Sequence, residues 1–214
     1  MSRRRIRWQQ SAPSHAAPAN SPLRNANVAR YDRTRRQQLL REAEGYLDLA
    51  TALGEEHKLA VAVRNRLAER AIVQIGRARS IGGDSFEAMY LEGEALRTIE
   101  RWDDAIIALE NARAANNANF HVHLALAWCY KRIGKLDMAI EMLEEALTVD
   151  PTEAILYYNL ACYWSLAGNV QLACSFLSEA FDLDSNYRDL VGEEEDFNPI
   201  RQHPEFVNLT SVIV

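Results

Sequence analysis

Hydrophobic positions set the first division of the chain. Up to about residue 34 there is no sustained apolar period, and Pro13, Pro18 and Pro22 stand among Ala, Ser and Asn. From Arg35 the pattern changes. Leu39, Leu40, Ala43, Tyr46, Leu47, Ala50 and Leu53 recur at spacings of three and four, which places them on one helix face. Gly54 predicts the end of that helix. A second run, Leu59, Ala62, Val63, Leu67, Ala71, Ile72, Ile75 and Ala78, predicts another helix that breaks at Ile81-Gly82-Gly83-Asp84. Residues 35–85 therefore predict a helical hairpin with a long second arm.

Beyond Asp84 the chain repeats itself. Ala105, Leu109 and Ala112 return as Ala139, Leu143 and Ala146, and again as Ala173, Leu177 and Ala180, each step being 34 residues. The helix before each trio carries a small residue in the same column: Gly93, Ala127 and Ala161. Gly134 and Gly168 occupy one turn position, where the first unit has Glu100. A period of this length marks stacked helical hairpins, which bury a continuous core only together. Small residues predict close approach of paired helices, here Gly93, Ala127 and Ala161 against Ala105, Ala139 and Ala173. Large ones such as Leu126, Tyr130, Leu160 and Trp164 fill the space between hairpins.

With its period, small-residue columns and turn glycines, the segment Phe86–Tyr187 resembles three consecutive tetratricopeptide (TPR) units of the small bacterial type. Met89, His123 and Glu92 depart from the family pattern. The resemblance implies an all-α, right-handed superhelical solenoid, with units at 86–119, 120–153 and 154–187. The hairpin at 35–85 is a candidate degenerate unit, because Ala71, Ile75 and Ala78 are in phase with the later trios. Residues 188–214 break the period, and Leu190, Phe197, Ile200, Phe206 and Leu209 predict an amphipathic cap.

Charge separates the two ends. Residues 1–36 hold nine Arg and only Asp32 as an acid, while the whole chain carries a net charge of -6. Residues 1–34 thus read as a disordered basic arm ahead of an acidic body, able to meet nucleic acid or an anionic surface. No run approaches the ~20 apolar residues of a membrane span, and no apolar core of a secretory signal follows Met1–Gln10. Cys129, Cys162 and Cys174 lie within helical patterns without CxxC spacing, which points to buried thiols in a reducing, cytoplasmic setting.

Catalytic patterns are missing from the sequence. His121 and His123 are two apart, so on a helix they point in different directions and cannot share a metal. Gly82-Gly83-Asp84 lacks the continuation of a phosphate loop. The expectation is a non-enzymatic scaffold without cofactor or metal. By the resemblance, the first helix of each unit lines a concave groove that holds a peptide or helix of a partner protein. The groove residues so implied are Glu87, Tyr90, Glu94 and Arg97; His121, Trp128, Lys131 and Arg132; and Tyr158, Cys162 and Ser165. Tyr90 and Glu94 stand where carboxylate-clamping relatives carry Lys and Asn, which argues against a heat-shock co-chaperone. A chaperone of bacterial secretion substrates, and an adaptor acting through the arginine-rich arm, are the alternatives.

Overall fold

The computed structural model describes residues 22–56 and 61–211. The basic arm before Pro22, the predicted core position Leu59 and the last three residues lie outside them. Helices α1 (Pro22–Glu56) and α2 (Val61–Gly82) pair first. Three shorter hairpins follow: α3 (Phe86–Thr98) with α4 (Trp102–Ala115), α5 (Phe120–Arg132) with α6 (Leu136–Val149), and α7 (Ala154–Leu166) with α8 (Val170–Leu183). Helix α9 (Tyr187–Leu190), a 3-10 turn at Glu195–Phe197 and α10 (Pro204–Ser211) complete the chain. No strand occurs among the described residues. Each second helix packs on the next first helix, which makes a helical-repeat solenoid.

Local chemistry sets the ends of the helices. Ser85 accepts a hydrogen bond from the Ala88 amide at the start of α3, and Asn119 and Asn169 do the same for α5 and α8. The turns inside the three short hairpins need a left-handed residue. Gly134 and Gly168 supply it with φ of 75° and 76°, and Glu100 adopts φ 62° at the matching position of the first turn. A side chain there costs about 1 kcal/mol or more relative to glycine.

The repeated alanines and leucines form the core. Ala105, Leu109, Ala112, Ala139, Leu143, Ala146, Ala173, Leu177 and Ala180 are all buried, as are Ala71, Ile75 and Ala78 in α2. Gly93 lies tight against α4. A Cβ on it would meet the Leu109 side chain at 2.4 Å, so its small size accommodates that leucine. The buried His123 ring stands at one of the departures from the family pattern. Its Nε2 lies 3.0 Å from the Asn117 carbonyl, which pins the α4–α5 turn.

Four expectations need correction. The predicted arm boundary at residue 34 does not hold, because α1 already begins at Pro22. Most side chains over residues 26–34 are exposed, so this stretch has no apolar face to leave a period in the sequence. Extending an anchored helix is easier than nucleating one. Helix α1 also runs through Gly54 rather than ending there. In α2, Ala62 and Val63 are exposed and Ala68 is the core residue, since the hairpin core begins one turn later. In the cap, Leu190 is exposed and Val191 is buried in its place, because α9 stops after a single turn.

Candidate functional site

The first helices α3, α5 and α7 contribute to one face, and the 34-residue period puts equivalent side chains in rows across them. Tyr90, Glu94 and Arg97 of α3, His121, Leu124, Ala125 and Trp128 of α5, and Ile155 and Asn159 of α7 line a depression of about 190 Å³. Its floor is apolar and its walls carry a few polar groups, as in a recognition surface.

Trp128 is the centre of this surface. The Arg97 guanidinium lies 4.8 Å from its ring, and Arg132 sits 5.5 Å from it and 5.4 Å from Trp102. Trp102 meets Trp128 edge-on with centroids 5.0 Å apart. Each cation over an indole face gains roughly 0.5–2 kcal/mol. Arg97 is also held at both ends of its fork by Glu94, at 2.7 and 3.2 Å. Arg132 is exposed and has no carboxylate partner among the described residues. Tyr90 stacks on Phe86 at 5.9 Å. Burial, followed by the nearby Glu94 carboxylate, pushes its phenol above the ordinary value. Glu87 is exposed near the start of α3, and the exposed His121 rests on the Phe120 ring.

The α7 end of the same face is closed. Tyr158, Cys162 and Ser165, expected to be groove-lining, are buried at 5%, 2% and 0% exposure. The chain's own segment Glu194–Phe197 covers them. The Ser165 hydroxyl donates to the Asp196 carbonyl at 2.7 Å, and the Lys131 ammonium binds the Asp196 carboxylate. Phe197 meets Tyr158 edge-on at 5.8 Å, and Tyr187 flanks Tyr158 at 4.8 Å. Lys131, also expected to face an open groove, therefore already has a partner. Arg201 stabilises the covering loop by donating to the carbonyls of Val191, Gly192 and Glu194 at 3.2, 3.1 and 2.6 Å. An irregular loop needs such donors for its carbonyls. Desolvation under this cover raises the Cys162 thiol far above the usual range, and burial pushes Cys129 up to about 12. Neither thiol is a nucleophile at neutral pH.

Leu124, Ile155 and Ala125 also line the depression, beside Asn159, and carry no chemical mark of recognition in the sequence. The period itself marks two of them. Leu124 is the 34-residue counterpart of Tyr90 and Tyr158, and Ile155 that of Glu87 and His121. No three metal-ligating side chains converge among the described residues.

Residues 96–161 match the family model of the tetratricopeptide repeat, so that stretch carries repeats of this kind. The fold agrees with solved structures of MamA. A crystal structure of MamA aligns over 78% of this chain and 94% of its own, with a TM-score of 0.54 and 20% identity. MamA from Desulfovibrio magneticus RS-1 aligns over 75% and 97%, with a TM-score of 0.53 and 20% identity. The MSR-1 form of MamA covers 73% and 98%, at 0.52 and 19%. Among curated proteins no sequence is significantly similar.

Proposed function

We propose that the protein is a non-catalytic scaffold that binds a segment of another protein on the face of α3, α5 and α7. One observation carries this reading: the same face already holds an irregular peptide segment, Glu194–Phe197, through a hydroxyl, an ammonium and an aromatic ring. The open part of the face offers what a second segment needs. Tyr90 and Trp128 supply rigid aromatic area, and Arg132 supplies an exposed cation, residue types enriched among binding hot spots. Cys129 and Cys162 are buried and their thiols are held protonated, so this face presents aromatic and cationic side chains suited to recognition. No described helix is long and apolar enough to cross a membrane.

Photo-crosslinking in the native host tests the assignment. A photoreactive residue at Leu124, inside the depression, is expected to capture a partner, whereas one at the exposed Glu141 of α6 is not. Adducts from position 141 alone would overturn it.

A further inference from the structure

We propose that the segment held in the open part of the face is acidic, with a bulky apolar residue beside a carboxylate. This rests on the groove reading above and specifies its ligand. The template is the chain's own Asp196-Phe197. Its carboxylate goes to Lys131, its carbonyl to the Ser165 hydroxyl, and its ring to Tyr158. A solenoid repeats its sites by translation along the stack. One repeat earlier, Lys131, Ser165 and Tyr158 correspond to Arg97, Lys131 and Leu124. The cation and the apolar contact are both kept, and Arg97 and Leu124 line the open depression.

The two sites differ in one respect. Arg97 is bonded by Glu94, so its charge is already balanced. The cation open to an incoming carboxylate is Arg132. Its guanidinium packs against the rings of Trp102 and Trp128, within 6 Å of both centroids, and its side chain is exposed. A guanidinium stacked on aromatic rings keeps its N–H edge for a carboxylate. The apolar residue of the ligand then rests among Tyr90, Leu124, Trp128 and Ile155. Phe197 itself cannot serve as this ligand. Together with Ile200 and Phe206 it is fixed in the core, which leaves the open half for a segment from elsewhere.

Fluorescence anisotropy with the full-length protein tests the chemistry. The probe is a labelled peptide, Gly-Glu-Glu-Glu-Asp-Phe-Asn-Pro, which copies residues 192–199. One control replaces its four acids by Lys, and another replaces Phe by Ala. The acidic probe with Phe is expected to bind about tenfold more tightly than either control and to weaken with salt. Arg132→Ala should cost it a further tenfold or so, with Arg132→Lys intermediate, while the circular dichroism spectrum stays unchanged. Preference for the lysine peptide, or equal binding by Arg132→Ala, overturns the proposal. If the lysine peptide binds and Leu124→Arg abolishes that binding, the groove stands and only its acidic preference falls. If none of the three binds, the acidic chemistry falls and crosslinking at Leu124 decides the groove on its own.

Discussion

The two ends of one face differ in what covers them. At α7 the row of Tyr158, Cys162 and Ser165 is buried beneath Glu194–Phe197, whereas at α3 and α5 the row of Tyr90, Leu124 and Trp128 remains accessible. Both rows hold equivalent positions of the repeat, so the backbone does not distinguish them. The difference lies in a segment far away in sequence that folds back onto one row. A helical repeat therefore sets where a surface can bind, and sequence outside the repeat sets which part of it is free.

The largest expected effect breaks the covered end. Phe197→Ala empties a fully buried site between Tyr158 and Phe206 and should cost roughly 3–5 kcal/mol, read by urea denaturation. It should also expose the Cys162 thiol to alkylation. A loss under about 1 kcal/mol with Cys162 still protected would mean that the segment is not what buries this row. Ser165→Ala comes next, at roughly 1–3 kcal/mol, because it leaves the Asp196 carbonyl without its donor.

Alkaline pH tests whether the core beneath α5 is dry. The folded Cys129 thiol is raised above its unfolded value, so its contribution is complete below that value and is lost as pH rises from about 9 to about 12. One unit into that window the loss is about 1.4 kcal/mol for a single thiol. A thermal-melting series should show it, and Cys129→Ala should flatten the fall. An unchanged slope in that variant would place solvent beside Cys129. The smallest effect belongs to the open end. Tyr90→Ala removes a half-buried ring and should cost about 1 kcal/mol or less while weakening binding of the acidic peptide. A loss as large as that of Phe197→Ala would erase the contrast between the two ends.

Much of the fold was legible because its core is periodic. The alanine–leucine trios and the turn glycines stand in fixed columns, and the structure buries those trios. Less of the candidate site could be read. Tyr90, Trp128 and Arg132 were identifiable as aromatic or cationic residues on a first helix. Tyr158, Cys162 and Ser165 had the same periodic credentials, yet they are covered by contacts spanning 31 residues or more from Ser165 and Lys131. No local pattern records such a contact. The early start of α1 was hidden for the opposite reason, since its exposed residues carry no apolar stripe. Leu124 and Ile155 stand in the same columns, but plain aliphatic side chains carry no chemical signal that separates a groove position from a core one.

The pairing of Lys131 with Asp196 has a further consequence, for how the molecule comes apart. A stack of hairpins joined only to nearest neighbours can fray from either end, one unit at a time. Here the C-terminal segment bridges α5 and α7, while α10 leans on α8. Opening the last hairpin alone would strip a charged pair from the hairpin before it. The final two hairpins are thus tied into one cooperative block, and fraying is left to the N-terminal end. Amide hydrogen exchange would show this as nearly uniform slow exchange from α5 to α8, and progressively faster exchange from α4 back to α1.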